Sequence, residues 1–340
     1  MTLTTSATVT LDDLRYTVQV RSVAAELTLL PGVNRVEVAI AAGVDVPAAA
    51  GSRASVELDG GDGGAVVVTG VVDHLERATT GAVVVITDAG AALAAARPAE
   101  TYNGLTGVQV VGRLADLASA DTGLIAALTQ TAAYVADPRR TAAEHVAAIA
   151  RRSDAVAAVD ADGRLTVVAW PVGLPTAAMR LDREFTSFTT SAHQPGHDFA
   201  PVGAGGSGAA LAPDAWVPST DAVTGADDPD ASRSWSPDAV LRTRTDVDLA
   251  ARGAASRRAA ATIRMRGTCW LQPARRPGDV VRIDETTSAD QAGPWLLVSV
   301  RHELAPGVAT TVLEGVAAGA ADDLLGGLLG AALGGVGGLL

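Results

Sequence analysis

The chain contains no lysine. All 26 basic residues are arginine, set against 38 acidic ones, and the net charge is −12 over 340 residues. That balance argues against a nucleic-acid surface, because phosphate contacts need a positive footprint. With so much alanine, glycine and valine, the arginine-only basicity reads as compositional drift, and the acidic excess as a solvated exterior. Aromatic residues make up 3% of the chain, so valine, alanine and leucine must fill its cores. Cysteine occurs once, at Cys269. A lone thiol makes no internal disulfide and no cysteine zinc cluster, which fits a reducing compartment. Lying beside Trp270 in an apolar run, it reads as a small buried hydrophobe and not as a nucleophile. The opening MTLTTSATVTLDDLRY lacks the basic and apolar regions of a signal peptide, so synthesis in the cytoplasm is expected.

Catalytic constellations are missing too. GAGGSG at 203–208 formally matches G-x-G-x-x-G, but the dinucleotide reading needs a following helix, and Pro213 interrupts one. No G-x-S-x-G esterase elbow accompanies it. His193 and His197 are the only clustered histidines, and Pro195 and Gly196 forbid the helix that would aim both rings at one zinc ion. A loop site with Asp198 is the metal alternative to ordinary turn histidines. Asp221, Asp227, Asp228 and Asp230 offer the oxygen ligands calcium takes, but without EF-hand order, so a solvated acidic loop is preferred. Glu57, Asp73 and Glu76 have no glycosidase spacing. Neither a catalytic residue nor a cofactor is expected.

What is present is strand writing, with helices in the middle. The length suffices for two or three domains. Residues 7–87 alternate between short apolar runs and turns, as at Pro31-Gly32 and the Asp59–Gly64 run, which suggests a small barrel or sandwich. Val108–Leu117 carry apolar residues at helical spacing, and Gly123–Tyr134 continue in that style. Thr141–Arg152 is the strongest helix, with Thr141 and Glu144 placed as a capping box. Ala155–Val159, an Asp160–Gly163 turn and Leu165–Trp170 then read as a hairpin. Alternation resumes over Phe185–Phe199, Pro201–Ser236 is the least structured stretch, and Asp246–Ala261 read as a helix with acidic residues in its first turn. In Thr262–Gly315, three apolar runs alternate with turns at Pro277-Gly278, Gly293-Pro294 and Pro306-Gly307, the pattern of an antiparallel meander. Within the last of these runs Leu296, Val298, Val300 and His302 share one side of a pleat. Leu297, Ser299, Arg301 and Glu303 share the other.

This order resembles the baseplate hub proteins of contractile tails and injection systems: phage late control protein D, the T4-type hub and the VgrG N-terminal hub. The closing meander, with its strand finishing in His302-Glu303-Leu304 before Pro306-Gly307 and a Thr-rich strand, the helix DVDLAARGAASRRAA before it, and the helix-then-VDADGRLTV hairpin carry the likeness over roughly residues 20–315. The resemblance implies a mainly β fold with an α+β insertion, as two tandem small β-barrel domains of the tail-tube kind plus the insertion. Residues 1–98 would form the first barrel, 99–182 the insertion, 183–317 the second barrel with a long loop at 201–236, and 318–340 an apolar tail. It implies a homotrimer whose two similar domains per chain present six near-equivalent surfaces, matching a sixfold tail tube to a threefold spike. His302 would then be a packing or hydrogen-bonding residue. Expected partners are a separate spike protein, the inner tube protein or tube initiator, and baseplate wedge proteins. The expected place is a phage-like tail or injection particle. A β-rich cytoplasmic hydrolase and a tail-fibre-like binding module are the rival readings.

The segment Leu324–Leu340 has no charge, and 7 of its 17 residues are glycine. Its length lies at the lower edge of a membrane span, but each mid-helix glycine costs about 1 kcal/mol relative to alanine. A strap docking on the spike or another partner through Leu324, Leu325, Leu328, Leu329, Leu333, Val336, Leu339 and Leu340 is therefore expected ahead of disorder, and both ahead of membrane insertion.

Overall fold

The computed structural model describes residues 4–61, 63–128, 130–170, 175–193, 199–204, 216–218, 234–238, 240–286 and 289–318. Seven strands come first: β1 (Ser6–Leu11), β2 (Leu14–Tyr16), β3 (Val20–Thr28), β4 (Arg35–Ala41), β5 (Arg53–Asp59), β6 (Gly64–Ala78) and β7 (Gly81–Thr87). Their period-2 patterning sets the faces. In β4, Val36, Val38 and Ile40 are buried while Arg35 and Glu37 are exposed. Next come α1 (Ala89–Ala95), β8 (Glu100–Thr106), α2 (Gly107–Leu117), β9 (Thr122–Ile125), β10 (Gln130–Ala136), α3 (Ala142–Arg152), β11 (Ala155–Val159) and β12 (Leu165–Ala169). The remainder is β13 (Ala177–Arg180), β14 (Phe185–Ala192), β15 (Phe199–Ala204), β16 (Trp216–Pro218), β17 (Ser234–Asp238), α4 (Arg244–Thr262), β18 (Ile263–Trp270), β19 (Val280–Asp284), α5 (Ala289–Ala292), β20 (Trp295–Ala305) and β21 (Val308–Ala317).

The architecture is mainly β with an α+β insertion, as expected. The strands before and after the insertion do not close into two barrels, however. They join one open 13-stranded sheet ordered β14-β18-β21-β20-β3-β4-β7-β6-β5-β1-β2, with β19 and β13 branching from β20. The seam is the antiparallel pairing of β3 with β20, from Thr28 opposite Ser299 to Val23 opposite Leu304. Turn chemistry specifies hairpins between sequence neighbours. Which outer edges then meet is decided by long-range packing that no local pattern encodes. One core runs behind the seam: Val9, Leu27, Val36 and Val84 share it with Met265, Ile283, Trp295, Val300 and Leu313. At roughly 1.5–3 kcal/mol for each fully buried large side chain, this common core ties the early and late strands together.

The insertion has its own core, built from Val110, Val111 and Leu114 of α2, Val146 and Ile149 of α3, and Leu165 and Val167 of β12. Both long helices begin with complete capping boxes. Thr141 accepts from Glu144 N at 3.1 Å, and the Glu144 carboxylate accepts from Thr141 N at 2.6 Å. Among the described residues of Gly123–Tyr134 none is helical. β9 pairs in parallel with β12, and β10 pairs with β8 from Thr106 opposite Gln130 to Glu100 opposite Ala136. Sheet pairing overrides a weak helical preference here, since propensity differences are only tenths of a kcal/mol per residue. In the stretch read as least structured, β15, β16 and β17 form a small sheet.

The closing strands depart from a simple meander in two ways. β18 pairs with β21, not with β19. A bulge between Leu297 and Ser299 also flips the parity of β20. Leu297 therefore joins Val300 in the main core, while Leu296 packs on the opposite face with Val156, Val280 and Ala318.

The Asp-Gly turn of the insertion hairpin abuts the main sheet. Gly163 has φ +80°, and a Cβ there would come within 2.6 Å of the Thr69 carbonyl oxygen of β6. Gly163→Ala is expected to cost about 2 kcal/mol from left-handed strain, plus the shift that relieves this contact. A urea denaturation midpoint measures it, and a loss below about 0.5 kcal/mol would contradict the close packing of hairpin on sheet.

Candidate functional site

The closing strands meet at a buried polar knot. His302, fully buried, pairs through Nδ1 with Thr311 Oγ1 at 2.9 Å. Thr311 Oγ1 also accepts from Gln272 N at 2.8 Å, and the Cys269 thiol donates to the Thr311 carbonyl at 3.3 Å. Burial holds the His302 imidazole neutral, down to about 4, offset only in part by the Arg275 carbonyl. The same burial pushes the Cys269 thiol up to about 12, which leaves it inert at neutral pH. No hydroxyl or thiolate is poised for attack here. The knot fixes β18, β20 and β21 in register.

A second buried cluster holds three stretches of the chain together. β6 carries a bulge: Val56 pairs with Val68 and Glu57 with Val66, so Val67 is the extra residue. Arg276, from the loop before β19, donates to the Val67 carbonyl through Nη1 at 3.0 Å and Nη2 at 2.6 Å. Its own N donates to Asp279 at 2.9 Å. The field of Asp160, Asp279, Asp88 and Asp162 surrounds the guanidinium, while burial pulls its pKa below the ordinary arginine value. Asp88 is buried, caps α1 by accepting from Gly90 N at 2.8 Å, and accepts from Asn34 Nδ2 at 2.6 Å. Asn34 is oriented in turn by Thr28 N, which donates to its Oδ1 at 2.7 Å. Burial raises the Asp88 carboxyl to about 6 against those hydrogen bonds. Leu30 N donates to the Ala157 carbonyl at 2.9 Å beside this cluster. The Arg276 clasp thus ties the loop before β19 to β6, with Asp160 and Asp162 of the insertion hairpin in its field.

The solvent face across the seam is mixed in charge. Arg301 meets Glu26 at 3.4 Å across the β3–β20 pairing, Arg266 meets Glu314 at 3.8 Å, and Arg35 meets Glu37 at 3.8 Å. Exposed pairs of this kind stabilise by at most about 1 kcal/mol each, so they shape a surface more than they hold a fold.

The remaining residues singled out in the sequence fall as follows. His193 is exposed, with Nε2 3.1 Å from Ser191 Oγ. His197, Asp198, Asp221, Asp227, Asp228 and Asp230 lie outside the described residues, as does GAGGSG beyond Ala204. The docking strap from Leu324 to Leu340 lies outside them as well. Glu57, Asp73 and Glu76 sit on β5 and β6. Among the described residues no group of three His, Cys, Asp or Glu side chains is placed to hold a metal ion, and no helix is long and apolar enough to cross a membrane. Sequence reasoning missed the Arg276 clasp, because its partner is a main-chain carbonyl freed by a bulge some 200 residues earlier.

No protein-family model matches the sequence, and no curated protein does. Solved structures do. The 43 kDa tail protein of prophage MuSo2 from Shewanella oneidensis superposes with a TM-score of 0.67, over 93% of this chain and 99% of that one, at 13% identity. The fold is a phage tail-protein fold. A tail protein from Neisseria meningitidis MC58 gives the same TM-score, 0.67, over 92% of this chain and 96% of that one, at 13% identity. The E. coli c3393 protein is a component of the type VI secretion system with structural similarity to the T4 tail proteins gp27 and gp5. It gives 0.61 over 91% of this chain and 76% of that one, at 12% identity. The likeness to tail proteins therefore runs through the insertion and the closing strands together.

Proposed function

We propose that the chain is a structural baseplate hub of a phage-like contractile tail or injection system, acting as a homotrimer that adapts a sixfold tube to a threefold spike. The observation that carries this reading is the seam. Two β-rich stretches separated by an insertion share one sheet and one core, so each copy holds its two β-rich parts in fixed relation. Three such copies supply six positions on one side and three on the other. Residues 1–98 and 183–317 are the two hub units, 99–182 the insertion, and 318–340 the strap that docks on the spike or another partner. The tube protein or its initiator, the spike and wedge proteins are the partners, and the particle is the place of work. The polar clusters have structural roles, and the chain acts without catalysis of its own. In light scattering on the purified chain, the expected mass is three times 34.1 kDa. The trimer is expected to co-purify with a co-expressed spike. A stable monomer that binds neither spike nor tube overturns the assignment.

A further inference from the structure

We propose that a cavity on the solvent face of β14, β18 and β21 binds one carboxylate of an extended acidic peptide segment belonging to another protein. The cavity has a volume of about 510 Å³, and its polar lining is Thr189, Ser191, His193, Arg264, Arg266 and Glu314. That volume lies within the range of small-ligand sites and exceeds what a bare ion needs. Strand register builds it. Ser191 lies opposite Arg264, and Thr189 opposite Arg266, which has Glu314 across from it on the other side. Two residues apart on one strand, both guanidiniums project from the same face.

Charge selects the ligand. Arg266 shares its charge with Glu314 at 3.8 Å, whereas Arg264 makes no ion pair among the described residues. Arg264 and Arg266 against Glu314 give the arginine and glutamate side chains of the lining one net positive charge, which a single carboxylate balances. A phosphate dianion leaves an excess negative charge beside Glu314 in a chain already at −12. The planar guanidinium fork of Arg264 also suits the two oxygens of a carboxylate. Ser191 Oγ lies 3.1 Å from His193 Nε2. When that nitrogen carries the proton it donates to Ser191, and the serine hydroxyl is free to donate into the cavity. His193 is thus a positioning residue. Thr189 gives its hydroxyl proton to the Arg266 carbonyl at 3.3 Å and offers none to a ligand.

The strand edge selects a peptide over a free acid. β14 pairs with β18 alone among the described residues, so its other edge has no strand beside it there. Its sequence, FTSFTTSA, holds none of the charges or prolines that discourage strand addition. A segment added along β14 would hydrogen-bond through its main chain and set alternate side chains on the face that carries Arg264.

The test is fluorescence anisotropy at low ionic strength, with the full chain and a labelled peptide of alternating glutamate and valine. Saturable binding is expected. Arg264→Gln should raise Kd about tenfold or more, the worth of a charged hydrogen-bonded contact. Arg35→Gln, which removes an exposed arginine outside the cavity, should leave Kd within about twofold. Ser191→Ala should weaken binding, glutarate should compete, and inorganic phosphate should compete less well. The absence of saturable binding overturns the proposal. So does equal weakening by Arg264→Gln and Arg35→Gln, or phosphate competing as well as glutarate. The inference does not need the hub reading: a monomer that binds the peptide through Arg264 would refute the trimer and leave this site standing.

Discussion

Arg276→Ala should lower the unfolding free energy by about 3 kcal/mol, the range for breaking a buried charge cluster and stranding a polar group. The guanidinium is the hydrogen-bond donor that reaches the Val67 carbonyl, which the β6 bulge has taken out of the sheet ladder. Removing it also takes away the positive charge that lowers the pKa of Asp88 and of Asp279. Both carboxyls should then titrate higher than in the parent protein. Arg276→Lys should recover part of the loss, since an ammonium restores the charge but not two donors on one oxygen. Urea titration with an unchanged slope measures this, and an Arg276→Ala variant within about 1 kcal/mol of the parent would mean the clasp holds nothing.

The second large effect is a cancellation that single substitutions expose. His302 titrates at about 4 when folded and 6.5 when free, so between those values the unfolded chain binds more protons and stability rises with pH. Asp88 titrates at about 6 when folded and 3.8 when free, so the folded chain binds more protons and stability falls with pH across nearly the same window. Each contribution is about 3 kcal/mol at 1.4 kcal/mol per pH unit, and between pH 4 and 6 they oppose each other. His302→Asn should leave the Asp88 slope uncovered, with stability falling by about 3 kcal/mol from pH 4 to 6 relative to the parent. Asp88→Asn should do the reverse. Its overall height also drops, because the single amide oxygen cannot accept from both Gly90 N and Asn34 Nδ2, and the new NH2 faces one of those donors. The slope, and not the height, is the readout. Parallel profiles for parent and both variants would refute the assignment of these two groups.

Local features were legible before any coordinates. The Thr141–Glu144 capping box, the Asp-Gly hairpin and the helix before the closing strands each depend on residues a few positions apart, and each stands where it was read. The Gly123–Tyr134 stretch departs from its helical spacing because alanine, leucine and threonine fit either a helix or a strand, and pairing with β8 and β12 decides between them. The bulges at Val67 and Val298 are invisible to a period-2 pattern. One opens the carbonyl that Arg276 seizes, and the other sends Leu296 and Leu297 to opposite faces from those expected. His193 drew notice for a neighbouring histidine. Its described partner is Ser191, two residues before it in sequence. The seam between β3 and β20 joins positions too far apart for any spacing rule to connect.

That seam has a consequence for how the polypeptide matures. As the ribosome extends the chain, β3 emerges early, yet the strand that covers its outer edge, residues 295–305, is among the last to be made. Throughout translation of the insertion and the α4 region the nascent protein carries a bare strand edge, a template for pairing with the wrong neighbour. Fragments released before residue 295 should therefore aggregate where the finished chain does not, and holdase chaperones should engage this protein chiefly during its synthesis.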